Sequence, residues 1–143
     1  MQYLLHHLLD HSVHYRWDTV MGHDLFPPRA ERARLLLADG GLISVQALNK
    51  FTNVARRKLG QPWGEINEKL GAVRALCEVK PLTVATHERA LTLAERYGYQ
   101  IYDALQLASA LENGCSILYT EDLQHGQQIE GLTIRNPFEM ERK

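Results

Sequence analysis

Two cysteines in 143 residues, Cys77 and Cys115, are too few and too far apart for a disulfide framework, and they form no CxxC or Cys/His spacing of the kind that holds zinc. They read as buried, reduced thiols. Positive charge is not in excess either: 16 Lys plus Arg face 17 Asp plus Glu, for a net charge of −1. The chain as a whole carries no basic field of the kind that marks a nucleic-acid binder, so any contact with RNA or DNA has to be local. Long hydrophobic runs are missing too. The apolar segment from Met1 to Leu9 is broken by His6 and His7, lacks a basic leader and is too short to span a bilayer, so a cytoplasmic location is expected. There is no internal repeat and no low-complexity segment. The length suits a single domain, 1–143, able to bury a core without staples.

What is present is an alternation of short apolar runs with amphipathic stretches. Tyr3-Leu4-Leu5 and Leu8-Leu9 predict a first strand ending at Asp10. Pro27-Pro28 opens a helix that reaches Ala38 and is stopped by Asp39-Gly40-Gly41. Leu42 to Val45 predicts a second strand, and Leu48, Phe51, Val54 and Ala55 a second helix ended by Gly60 and Pro62. Ile66, Leu70, Val73 and Leu76 form the stripe of a third helix, and Val79 and Leu82 mark a strand. A fourth helix runs from Val84 to Tyr97, with Ala90, Leu91, Leu93 and Ala94 inward and Gly98 as its stop. Tyr102 to Asn113 makes a fifth, Cys115 to Thr120 a buried strand, and Leu132 to Ile134 a short last one. Nearly all-apolar strands alternating with helices predict an α/β fold with a mainly parallel central sheet flanked by helices on both faces.

In such sheets the site lies beyond the carboxyl ends of the strands, where chain order switches. Asp10 follows the first strand, Glu121-Asp122 follow the Cys115-to-Thr120 strand, and Asp103 stands in the first turn of the fifth helix. Carboxylates gathered at one strand edge make a hard-oxygen site for Mg²⁺ or Mn²⁺. Each acid also has a plain structural role: Asp103 complements a helix dipole, Asp122 and Glu121 cap a loop, and Asp10 closes a strand. The histidines concentrated at His6, His7, His11, His14 and His23 have no helical i, i+4 framing with a third ligand, which argues against zinc. Arg56-Arg57-Lys58 could steer an RNA backbone, but cations there also complement a helix C-terminus, and that structural reading carries more weight. Trp63 and Tyr99 are expected in partial core or an interface.

Ile101-Tyr102-Asp103-Ala104-Leu105-Gln106-Leu107-Ala108-Ser109-Ala110-Leu111, with Leu118-Tyr119-Thr120-Glu121-Asp122-Leu123, resembles the C-terminal half of PIN-domain nucleases, most closely the VapC-like ribonuclease toxins. Ile43-Ser44-Val45-Gln46-Ala47-Leu48-Asn49 is similar to that family's second strand and helix, and Asn136-Pro137-Phe138 to its closing tail. The resemblance implies a three-layer PIN-like fold and a Mg²⁺- or Mn²⁺-dependent endoribonuclease. It places Asp103 on the family's third acid and Asp122 on its fourth, with catalytic and metal-binding roles. For the first acid Asp10 is preferred, with Asp18 as its rival. Two positions depart: the family's opening Asp-Thr-Asn followed by apolar residues is not present as such, and where the family carries a glutamate in an Asn-Glu-Phe run, this chain has Asn49-Lys50-Phe51. The Lys50 ammonium is expected to reach Asp103 or Asp122 and take the place of the metal.

The resemblance further implies an RNA substrate, a homodimer and a small antitoxin partner, hence the toxin of a toxin–antitoxin pair. Two functions from different classes compete. One is the metal-dependent ribonuclease; the other is a catalytically inactive PIN-fold dimer that binds protein or nucleic acid.

Overall fold

The computed structural model describes residues 1–4 and 28–139. Six strands form one sheet in the order β3-β2-β1-β4-β6-β5. They are β1 (Gln2–Leu4), β2 (Gly41–Ser44), β3 (Cys77–Lys80), β4 (Ile117–Tyr119), β5 (Gln128–Ile129) and β6 (Leu132–Arg135). All neighbours are parallel except β5 and β6, which form an antiparallel hairpin. The helices are α1 (Pro28–Ala38), α2 (Val45–Asn53), α3 (Trp63–Leu76), α4 (Val84–Tyr97) and α5 (Ile101–Glu112), and α2 runs on through a wider π turn, Val54–Lys58.

Strand alternation divides the core into two halves. Register pairs Tyr3 with both Leu42 and Leu118, and Leu4 with both Ile43 and Tyr119. Successive residues of a strand point to opposite faces, so each trio falls on one side of the sheet. Tyr3, Leu42 and Leu118 pack with Ala90 and Leu93 of α4 and with Ala104 and Leu107 of α5. Leu4, Ile43 and Tyr119 pack with Leu36 and Leu37 of α1, Ala47 and Phe51 of α2, and Val73 of α3. Helices thus cover both faces, giving the expected three layers. Each fully buried large side chain, such as Phe51 or Ile43, contributes about 1.5–3 kcal/mol of transfer free energy.

Polar contacts set how the helices lie. Thr83 caps α4 by accepting from the Thr86 N–H, and the Thr86 hydroxyl donates to Glu112 Oε2 at 2.9 Å. This joins the start of α4 to the end of α5. Gly98, with φ 78°, ends α4 in the left-handed conformation. At Gly41, φ is 142° and a Cβ would stand 2.9 Å from the Gln2 carbonyl oxygen, so a side chain there would push β1 from β2.

Several local expectations change. Val45 opens α2 instead of extending β2, because the Ser44 hydroxyl caps the helix there. β3 ends at Lys80, and Leu82 lies outside it. Leu76 and Leu91 are each 50% exposed, on the outer sides of α3 and α4, where a helical stripe read from spacing alone was drawn too wide. β5 has only two residues, too short for any periodic signal. The first strand past Leu4, with Asp10 and Asp18, lies outside the described residues. Cys77 and Cys115 are buried free thiols, and burial pushes both up from the usual thiol range.

Tyr3 is the buried polar link between sheet and helix. Its hydroxyl donates to Ser109 Oγ of α5 at 2.6 Å, and the Ser44 hydroxyl lies close enough to act on the phenol. Burial, its largest cause, pushes the phenol from 10.0 up to about 12. Folding then favours the protonated form, so this contribution is whole below pH 10 and is lost as pH rises toward 12. Urea unfolding should show about 2–3 kcal/mol of alkaline destabilisation in the wild type that Tyr3→Phe lacks. At neutral pH the same substitution should cost about 1–2 kcal/mol for the lost buried hydrogen bond.

Candidate active site

Parallel pairing puts the carboxyl ends of β1, β2 and β4 on one edge, with β1 between the other two. That edge is the switch point, since β2 leads to one side of β1 and β4 lies on the other. Helix α2 leaves the end of β2 directly, and the Glu121-Asp122 turn follows β4. The Asp122 backbone N–H donates to Thr120 Oγ1 at 3.0 Å, which fixes the turn. Asp103 arrives from the first turn of α5, where its charge also complements the helix dipole.

These elements surround a cleft of about 550 Å³ lined by Lys50, Tyr99, Gln100, Tyr102, Asp103 and Asp122. The structure therefore brings together Asp103, Asp122 and Lys50, from three segments distant in sequence. A second cavity, of about 640 Å³, lies at the opposite, amino edge of the strands, against Gln2, Gly41 and Ser116. It is larger and is also lined by two acids, Asp39 and Glu78, the latter paired with Lys80, but chemistry in parallel sheets gathers at the carboxyl edge.

Lys50 does not stand where it was expected. Its ammonium lies over the Tyr102 ring, 5.2 Å from the centroid, a cation–π contact at an exposed aromatic. Among the described residues it makes no ion pair with Asp103 or Asp122 within 4 Å. The charge shares the cleft with both acids, and the aromatic ring holds it aside. Spacing predicts the helix face of Lys50 but not this choice of partner.

Asp103 and Asp122 suit a hydrated Mg²⁺ or Mn²⁺, which binds through one or two carboxylates and keeps several waters. Among the described residues no group of three or more His, Cys, Asp or Glu side chains is placed to hold a metal. Asp10, the expected further ligand, lies outside them. The nearby ammonium opposes a cation by like-charge repulsion.

Two residues at or beside this edge, Tyr102 and Gln106, were missed from sequence, and a third, Tyr99, was expected only in partial core or an interface. Tyr102 is 57% exposed beneath Lys50, and its position two residues into α5 is the only clue to it. Tyr99 lines the wall, with burial pushing its phenol up. Gln106 lies one turn beyond Asp103, buried, and among the described residues its Oε1 has no hydrogen-bond partner. A glutamine inside the apolar run Ala104-Leu105-Gln106-Leu107-Ala108 was the available signal.

A family model described as the PIN domain matches residues 25–127. Among solved structures, the chain is similar to a toxin–antitoxin complex from Klebsiella pneumoniae, with a TM-score of 0.63 at 17% identity over 96% of this chain and 98% of that one. It is also similar to Mycobacterium tuberculosis VapC20, a sarcin-ricin loop cleaving toxin, with a TM-score of 0.62 at 16% identity over 85% of this chain and 92% of that one. No curated protein sequence matches.

The placement of Lys50 depends on where α2 starts. Ser44 is fully buried at the end of β2, and its Oγ accepts the Ala47 N–H at 3.2 Å. Ser44→Ala should cost about 1 kcal/mol in urea denaturation, the usual value of an N-cap. Combined with Tyr3→Phe the loss should be less than additive, because the two hydroxyls share one network.

Proposed function

The chain belongs to the PIN-domain family, and from that premise we propose that it is a divalent-metal-dependent endoribonuclease by descent, the toxin of a toxin–antitoxin pair, whose activity Lys50 holds down. The observation that carries this reading is the cleft shared by Asp103, Asp122 and Lys50 at the carboxyl edge of the sheet. Two of the solved structures it is similar to, a toxin–antitoxin complex and a sarcin-ricin loop cleaving toxin, support an RNA substrate and an antitoxin partner. A cytoplasmic homodimer completes the proposal. Among the described residues no helix is long and apolar enough to cross a membrane.

Asp103 and Asp122 would hold Mg²⁺ or Mn²⁺, with Asp10 as the further ligand. Such an ion, when bound, lowers the pKa of a bound water and neutralises charge on the phosphoryl group. The chain's own residues do the rest. Asp103 and Asp122 exclude a phosphate from resting directly on them unless a cation intervenes. The Lys50 ammonium supplies a single charge, which attracts phosphate but offers no coordination position and activates no water. Binding is kept while the chemical step is weakened.

The same ammonium favours a second reading, in which the fold persists as an inactive dimeric module that binds protein or nucleic acid. One substitution separates the two. Lys50→Glu should raise Mn²⁺ affinity by roughly tenfold or more in calorimetry, since even outer ligands of metal sites are worth that much. It should also produce cleavage of structured RNA that Asp103→Asn then abolishes. The unmodified chain should cleave at least about a hundredfold more slowly, which corresponds to about 2.7 kcal/mol of barrier. Strong metal-dependent cleavage by the unmodified chain would overturn the role given to Lys50. If Lys50→Glu neither binds Mn²⁺ nor cleaves, the inactive module is the correct reading.

A further inference from the structure

The face of α2 that turns away from the core leads out of the cleft. Ala47, Phe51 and Ala55 are buried on one side, while Asn49, Asn53, Arg56 and Arg57 are exposed on the other, with half-buried Lys50 between the two. At about 1.5 Å per residue, Arg57 lies roughly 10 Å along the helix from Lys50. The wider π turn Val54–Lys58 ends in three consecutive cations, Arg56, Arg57 and Lys58, all exposed. From Gly40 to Gly64 the sequence has no Asp or Glu, so in a chain of net charge −1 this helix and turn are a segregated block of positive charge.

Trp63 stands at the end of that block. Sequence alone suggested partial core or an interface, and it is 54% exposed at the first position of α3. The Arg56 guanidinium lies over the indole, 4.8 Å from the ring, and Arg56 Nη1 donates to the Gln61 carbonyl at 3.0 Å. Stack and hydrogen bond together hold this arginine in one place. The bond goes to a carbonyl beyond the π turn, so Arg56 is not spent on capping the last carbonyls of α2. A guanidinium has five N–H donors, and most of them stay available to an anion. An exposed π face beside fixed and mobile cations is the combination that holds a single strand, bases stacking while phosphates are neutralised.

We propose that the outer face of α2 and Trp63 form a track for single-stranded RNA, with Trp63 as a base-stacking platform and Arg56, Arg57 and Lys58 as phosphate contacts. The track rests on the ribonuclease reading for its choice of substrate and extends it to a surface outside the acidic cleft. Lys50 joins the two: the strand passes from the Trp63 platform along the cations and enters the cleft beside Asp103 and Asp122. A strand is favoured over an acidic peptide because the exposed Trp63 ring offers a surface to a base and the consecutive cations offer contacts to phosphates, whereas carboxylates alone would use only the cations.

The test is fluorescence anisotropy of a labelled single-stranded RNA oligonucleotide in EDTA, where binding is read without hydrolysis. Trp63→Ala should weaken binding roughly tenfold, and Trp63→Phe should recover most of the loss. Changing Arg56, Arg57 and Lys58 together to Gln should reduce the salt slope, d log K/d log[salt], by about 0.7 for each phosphate contact removed. The wild-type indole emission should be quenched by the oligonucleotide, and Trp63→Phe should remove most of that quenching. Thermal melts establish that each variant is folded; all four positions are exposed. Wild-type affinity and salt slope in these folded variants would overturn the track and leave the ribonuclease reading intact. So would their loss of binding to a polyglutamate peptide with RNA binding unchanged. Conversely, Trp63-dependent RNA binding in a Lys50→Glu chain that neither takes up Mn²⁺ nor cleaves would sustain the track and sink the nuclease.

Discussion

The placement of β1 between β2 and β4 governs everything else in this molecule. Its three residues are held in parallel register on both sides, and that pairing carries two consequences at once. It assigns each neighbouring residue to a face, dividing Tyr3, Leu42 and Leu118 from Leu4, Ile43 and Tyr119. It also brings three strand ends to one edge, from which α2 and the Asp122 turn depart. A slip of one residue would exchange the two cores, and the same slip would carry the edge chemistry away. The Tyr3 hydroxyl guards the register, because only one alignment brings it to both Ser109 and Ser44.

From that constraint the site follows by short, stiff connections. Ser44 ends β2 and caps α2 in one step, so Lys50 is about one and a half turns from a strand whose position is fixed. Asp103 sits in the first turn of α5, and α5 is tied to α4 through Glu112 and Thr86 at its far end. Charged groups placed on elements held at both ends lose little entropy when they act together. The exposed Asp122 turn forms the other wall, where the Asp122 N–H donates to Thr120 Oγ1.

Much of the fold could be read from residue order, and the reasons are local. Pro28 and Ala38 bound α1, and Val84 and Tyr97 bound α4, as a proline entrance and a glycine stop require. The alternation of apolar strands with helices announced the parallel sheet. What failed was sidedness. Leu76 and Leu91 lie at helical spacing yet face outward, because periodicity does not say where a neighbouring helix ends. Among site residues, Asp103 and Asp122 were visible through their motif and their strand-edge positions. The partner of Lys50 was not, since an ammonium within reach of both carboxylates and an aromatic ring is decided by side-chain geometry. The neighbour of Trp63 was hidden for a related reason: partial core or an interface was expected there, and nothing local to Pro62-Trp63-Gly64 reveals Arg56 above it.

On the proposed reading, Lys50 separates two tasks that a nuclease normally performs with one charge distribution. A strand drawn along Arg56 and Arg57 meets a further cation at the mouth of the cleft, so its phosphate is attracted equally before and during reaction. Interactions of that kind lower the dissociation constant without lowering the barrier. Acceleration requires charge that strengthens as the transition state develops, which a divalent ion held by Asp103 and Asp122 would supply and a distant ammonium would not. The position over Tyr102 makes the trade adjustable. A cation–π contact at an exposed ring is worth roughly 0.5–1 kcal/mol, so it can be given up at small cost. An anion entering the cleft can draw Lys50 off the ring, and a divalent cation can leave it there. Substrate and metal therefore favour different positions of one side chain, and the balance between holding RNA and cutting it turns on their relative affinities for the two positions.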